Sequence, residues 1–334
     1  MAAGRRVEGR RKGTAKEHVS GPGETLRGRG HPSPAFFLLF TQVLIFRRLS
    51  QANVTHRRIV RYEHGAFAHD PQAELAEEAM LHVEINDTAS FDVVVTPQHL
   101  REFVYGYLLC EGYITDPKEI TSLKLHEKDK IARADVVVDS PRVKALSFRK
   151  NYNIIWTECG TSEAFYRMLG EKVPKIESDV SITPQAMFKC YAEVLERDDE
   201  YKRTGAYHYA FLFRPESSEV VTYDIDIGRH NAIDKVVGLA VTKGEDVTRT
   251  VLFSTGRITI DMVLKAARAR VPIVISRSAP LDKAAELSQL FDLTLVGFLR
   301  NNRFNIYAAP QRIAGAPALE EGARAVTVRK STSA

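Results

Sequence analysis

Three cysteines, Cys110, Cys159 and Cys190, are all that the 334 residues supply, and no two stand as C-x-x-C. That excludes a disulfide framework and an all-cysteine zinc site. The P-loop and the dinucleotide-binding glycine fingerprint are also missing, so nothing points to ATP or NAD. Apolar runs are scarce. The strongest, Ala35–Phe46, is twelve residues long, against the roughly 20 that a membrane-spanning helix needs. Arg47-Arg48 follow it, where a signal peptide would carry small residues at its cleavage site. A soluble, cytoplasmic protein with no membrane association is expected. Basic charge is wanting too, once its place is considered. The net charge is +5, but residues 1–30 hold eight of the 47 Lys/Arg and only three of the 42 Asp/Glu, which leaves the remainder balanced. No folded nucleic-acid surface is indicated; the basicity belongs to a Gly/Arg-rich leader, residues 1–57, with the composition of a disordered segment.

What is present reads as an α/β protein, α+β overall. Leu81–Ile85 and Phe91–Val95 flank Asn86-Asp87 as two strands of a hairpin. Thr96-Pro97 is expected to supply an N-cap and a first helical proline. Leu100, Phe103, Val104, Tyr107 and Leu108 recur on one face of that helix, and Gly112 ends it. With a strand at Ala134–Val138 this makes a small α+β domain over residues 58–155. From 156 to 312 the rhythm changes. A helix opening at Thr183-Pro184 precedes strands Tyr209–Phe213, Val220–Ile227, Val251–Ser254, Ile273–Ser276, Leu293–Phe298 and Asn305–Ala308. Helices from about Asn231, Thr259 and Leu281 alternate with them, as in a layered α/β domain with ligand loops at strand ends. Residues 313–334 form a loose tail. Cys110 and Cys190 fall on helices, as small buried hydrophobes do.

Three strand-to-helix junctions share a design: Asp224–Asn231 with Gly228, Arg229 and His230; Ser254–Arg257 with Gly256; and Ser276–Pro280 with Arg277. Each sets free backbone N–H groups and an arginine at the positive end of a helix dipole, which suits phosphate or another anion. The alternative is that these arginines pair with Asp224, Asp226 or Asp234 and merely tie the loops down. Cys159 lies in Trp156-Thr-Glu158-Cys159-Gly160-Thr161-Ser162. A thiol just before a helix N-terminus is favoured as thiolate, while the neighbouring Glu158 opposes it. The residues themselves leave a reactive and an inert Cys159 both open.

These motifs together carry a family resemblance. Val83-Glu-Ile-Asn86, Thr96-Pro97, Glu111-Gly112-Tyr-Ile114, Thr204-Gly205-Ala206-Tyr-His208, Asp226–Lys235, Ser254–Arg257, Ser276–Pro280 and Gly297–Arg300 stand in the order seen in the FdhD family of formate dehydrogenase accessory sulfur carriers. The resemblance covers about residues 58–312, and the Asp-Ile-Gly-Arg-His-Asn-Ala-Ile-Asp-Lys block is its most specific part. It implies a sulfurtransferase that takes sulfur from a cysteine desulfurase as a persulfide on Cys159. The sulfur would pass to the molybdenum bis(molybdopterin guanine dinucleotide) cofactor destined for formate dehydrogenase or a related molybdenum or tungsten oxidoreductase. It also implies a homodimer. The stretch Phe298, Leu299, Arg300, Asn301, Asn302, Arg303 is implied as cofactor-binding. Gly228, Arg229, His230, Asn231, Gly256 and Arg257 join it from the anion loops, and His230 is either a proton donor or a loop hydrogen-bonder.

The chain departs from the family pattern at Ser162, where a second cysteine is usual, and at Ala206, where glycine is usual. A carrier needs one thiolate; release by a second cysteine is what Ser162 puts in doubt. The alternative function is therefore a molybdenum-cofactor chaperone that no longer transfers sulfur. The family is also similar in fold to the cytidine deaminases. His82-Val-Glu84 matches half of the deaminase zinc signature, but no P-C-x-x-C follows, so no metal of its own is expected.

Overall fold

A computed structural model describes residues 54–128, 131–146 and 173–320. Cys159 and Ser162 lie outside the described residues. The described chain opens with an antiparallel ribbon, β1 (Val54–Glu63) and β2 (Ala66–Ala76). It turns through His64 and Gly65, both at positive φ, as a two-residue hairpin turn of matching twist requires. β1 thus begins inside the stretch read as leader. Its residues are mostly exposed, so no apolar alternation announces it.

The first sheet has the order β4-β3-β6-β5. β3 (Ala79–Ile85) and β4 (Ala89–Val95) form the expected hairpin, with Asn86 and Asp87 both at positive φ. Ala79, Leu81, Val83 and Ile85 are buried and alternate with more exposed residues, the period-2 pattern of a sheet with one covered face. β5 (Ile120–Lys128) and β6 (Ile131–Val138) complete it. Between β4 and β5 runs helix α1 (Leu100–Cys110), and α2 (Pro141–Leu146) follows β6.

The helix at Thr96-Pro97 starts later than expected. Leu100 is its first residue and His99, at φ 51°, occupies the N-cap position without a capping side chain. Thr96 is buried, and its hydroxyl accepts from Ile227 N–H at 3.2 Å. A partner 131 residues away displaced the local cap. At the C-terminal end Gly112 (φ 77°) does stop the helix, with Tyr113 N–H donating to Leu108 C=O at 2.8 Å.

The second sheet has the order β12-β11-β10-β9-β7-β8. Helices α3 (Pro184–Glu196) and α4 (Asp199–Thr204) precede β7 (His208–Phe213), β8 (Val220–Asp226) and α5 (Arg229–Thr242). Then follow β9 (Val251–Ser254), α6 (Ile260–Arg268), β10 (Ile273–Ser276), α7 (Asp282–Leu290), β11 (Thr294–Arg300) and β12 (Arg303–Ala308). The strand–helix alternation therefore falls where expected. β9 and β10 are wholly buried, as parallel strands covered on both faces are.

Alternate residues of β7 serve two cores. Ala210 and Leu212 join a cluster that includes Leu81, Phe103, Val236 and Met262, while Phe211 and Phe213 pack with Met187, Cys190, Val194 and Ile275. The first sheet thus shares a core with one face of the second. α1 and α5 meet backbone to backbone. A Cβ on Gly106 would lie 1.7 Å from Asp234 C=O, and one on Gly238 would lie 1.8 Å from Glu102 C=O, so only glycine permits this crossing. Among the described residues no helix is long and apolar enough to cross a membrane.

Candidate functional site: an arginine-lined sheet edge

β9, β10 and β11 are parallel, and β7 runs antiparallel to both β8 and β9. β8 must then point the same way as β9. The C-terminal ends of β8, β9, β10 and β11 consequently share one edge, with the first residue of β7, His208, opposite Asp226. The three junction loops and the Phe298–Arg303 turn all emerge there.

Three helices start at this edge, and none is capped by a side chain: Gly228 precedes α5, Thr259 precedes α6 and Leu281 precedes α7. Away from the edge, Thr183 caps α3 by accepting from Ala186 N–H at 3.1 Å. Uncapped first turns leave N–H donors and the positive ends of the helix dipoles for an outside anion.

The loops are tied to one another. Ser276 Oγ donates to Gly256 C=O at 2.7 Å and accepts from Ser278 N–H at 2.8 Å. Phe298 N–H donates to Ser278 C=O at 3.1 Å, and the Arg300 guanidinium donates to Arg277 C=O. Phe298 is at φ 54° and 41% exposed. It sits where the β11–β12 register shifts between Gly297 and Arg300, a bulge that turns an apolar ring toward the surface.

The aspartates near these loops do not take the arginines. Asp224 is held by His99 and Gln98, each at 2.9 Å. Asp226 is paired with Lys235 at 2.7 Å, and Asp234 with Lys265 at 2.8 Å. Among the described residues no carboxylate ion-pairs with Arg229, Arg257, Arg277, Arg300 or Arg303. Arg277 lies 5.3 Å over the Tyr201 ring. The Arg229 stem rests on Gly256, where a Cβ would come within 2.9 Å of it, and Arg229 Nε is buried without a partner.

This surplus of positive charge reaches the nearby histidines. Burial, then Arg229 and Arg277, push His208 below its ordinary pKa. Burial, then Arg229 and Lys265, push His230 down to about 4. Neutral at pH 7, His230 has no imidazolium proton to give; its Nε2 lies 3.3 Å from Thr259 Oγ1, bridging the starts of α5 and α6.

The structure places Gly228, Arg229, His230, Asn231, Gly256, Arg257 and the 298–303 turn along this one edge, with differing duties. Asn231 turns away to donate to Asp226 and to Val94 C=O, both at 2.9 Å. Leu299 is fully buried in the second core, while Asn301, Asn302 and Arg303 are exposed. The sequence placed His208 only at the end of the Thr204–His208 motif, not among the candidate site residues, and it did not join Thr96, Asp226 and Lys235 as a unit.

Beside the edge, α1, α5 and α6 line a half-open cleft of about 300 Å³ whose lining includes Tyr107, Glu111, His230, Asp261, Lys265 and Arg268. Its cations are already committed: Lys265 reaches Asp234 and Glu111 (2.7 Å to the latter), and Arg268 reaches Glu111 at 3.2 Å. Cys110 is fully buried, and burial then Asp234 push its thiol well above the ordinary range. Burial likewise pushes the Cys190 thiol up to about 12. Neither offers a thiolate near neutral pH. Among the described residues no three His, Cys, Asp or Glu side chains are placed to hold a metal ion.

Fold and site together define an α/β protein with an arginine-rich edge on its second sheet. The model of the FdhD/NarQ family matches residues 76–314. A "Sulfur carrier protein FdhD" of Bacillus subtilis (strain 168) is 33% identical over 77% of this chain and 96% of its own length. That of Staphylococcus haemolyticus is 32% identical over 76% of this chain and 95% of its own. A solved structure, from Desulfotalea psychrophila and described as that of a formate dehydrogenase accessory protein, aligns with TM-score 0.62 and 26% identity over 78% of this chain and 99% of that one. The chain belongs to the FdhD/NarQ family.

Proposed function

We propose that this protein is a sulfur carrier for formate dehydrogenase maturation, that Cys159 is the carrying residue, and that the arginine edge holds the molybdenum guanine-dinucleotide cofactor as cargo. The observation that carries the reading is the edge itself: three uncapped helix starts and five arginines with no carboxylate partner among the described residues. Such an arrangement suits pyrophosphate groups. The names of the relatives support the sulfur-carrying part. Chemistry narrows the choice of thiol, because Cys110 and Cys190 are buried and held protonated, leaving Cys159 of the three cysteines.

In the loading step the Cys159 thiolate attacks the outer sulfur of a cysteine desulfurase's persulfide. A new S–S bond forms on Cys159, the donor's S–S bond breaks, and the donor leaves as thiolate. The terminal sulfur is then presented to the cofactor, in the cytoplasm, before a molybdenum or tungsten oxidoreductase receives it. Ser162 gives a specific reason to keep a second reading, a cofactor chaperone without sulfur transfer. Mass spectrometry after incubation with a cysteine desulfurase and cysteine separates them. The carrier gains one sulfur at Cys159, lost on reduction and absent from Cys159→Ser; the chaperone gains none and still binds the cofactor.

A further inference from the structure

We infer that Thr96 and Lys235 are positioning residues for Arg229, so that the β4–α1 junction of the first sheet sets the geometry of the anion edge on the second. The inference rests on the anion reading of that edge. Every polar atom of Thr96 is bonded to the loop before α5 or its first turns. Its N–H donates to Asp226 Oδ2 at 3.0 Å, its hydroxyl accepts from Ile227 N–H at 3.2 Å, and its C=O accepts from Lys235 Nζ at 2.8 Å. Lys235 also reaches Asp226 Oδ2 at 2.7 Å, both side chains being 0% exposed. The other oxygen of Asp226 accepts from Gly228 N–H at 2.8 Å and from Asn231 Nδ2 at 2.9 Å.

The next residue along the chain is Arg229, whose stem lies on Gly256. The box thus fixes, within one residue, where Arg229 leaves the backbone and how the first loop meets the second. A buried ion pair is a poor way to stabilise a core, since well-packed apolar residues usually do as well. What the box supplies is a fixed peptide geometry ahead of an uncapped helix.

The test uses the full chain, metal-free inorganic pyrophosphate as probe, and calorimetric titration at pH 7. Thr96→Val removes the hydroxyl and keeps the shape; Thr96→Ser keeps the hydroxyl; Val83→Ala weakens the same sheet without touching the loop. We expect Thr96→Val to bind pyrophosphate about three- to tenfold more weakly, with faster amide exchange over residues 227–231 in the free protein. Thr96→Ser should bind as the native chain does. Val83→Ala should melt earlier and yet bind normally, which a merely structural role for Thr96 would not predict. Native binding by Thr96→Val, or an equal loss in Val83→Ala, overturns the inference while leaving the anion reading intact. A native protein that binds no pyrophosphate overturns both.

Discussion

Replacing Lys235 by methionine should be among the most damaging single changes outside the apolar core. Lys235 and Asp226 are both fully buried and 2.7 Å apart. Methionine fills most of the lysine's volume but leaves the Asp226 carboxylate in place without its cation. Breaking a buried pair from one side costs about 3–5 kcal/mol. Three N–H donors, from Thr96, Gly228 and Asn231, still reach Asp226, which places the expected loss toward the lower end. Urea unfolding at pH 7 should show a reduced midpoint at unchanged m-value, and melting should fall by on the order of 10 °C. Asp226→Asn added to Lys235→Met should recover part of the loss, because no buried charge remains. The contrast is Arg133→Ala, which breaks the surface pairs with Glu84 and Asp135 and should leave the urea midpoint close to native. If Lys235→Met unfolds within about 1 kcal/mol of the native protein, the buried-pair reasoning is wrong.

Gly106→Ala should yield little folded protein, since the new Cβ would meet Asp234 backbone at 1.7 Å and helices cannot yield that far without parting; soluble yield and circular dichroism read this directly. Gly256→Ala brings a Cβ within 2.9 Å of Arg229 Cβ and Cδ, so Arg229 must shift; titrated pyrophosphate affinity should fall several-fold, with a smaller loss of melting temperature than in Gly106→Ala. The folded-state pKa of His230 lies below its unfolded value, so it contributes stability present above about pH 6.5 and lost as pH falls toward about 4. His230→Gln should flatten that part of the stability-against-pH curve; an unchanged slope would show that His230 is not its source.

Much of this architecture was legible because local and tertiary preferences agree. Val251–Ser254 and Ile273–Ser276 are short apolar runs between turn residues, and both are strands with those ends. Thr183-Pro184 caps and opens α3 as its chemistry dictates. The same pair of residue types misled at Thr96-Pro97, because tertiary bonds to Asp226, Ile227 and Lys235 outcompete a helix cap. The β1–β2 ribbon went unseen because its strands bury little, and periodicity reports burial alone. Spacing could bring Gly228, Gly256 and the 298–303 turn under suspicion separately, but only strand order puts them on one edge. Nor could composition say whether the arginines or Lys235 and Lys265 would take the aspartates; that depends on which side chains the fold buries.

The most direct test of the central claim remains the sulfur itself. The native chain and Cys159→Ser would each be incubated with a cysteine desulfurase and cysteine, then weighed intact and as peptides. The account predicts one added sulfur on the native chain, mapped to Cys159, removed by reductant and absent from the variant, with Cys110 and Cys190 unmodified in both. A native chain that gains no sulfur, or gains it at Cys110 or Cys190, contradicts it.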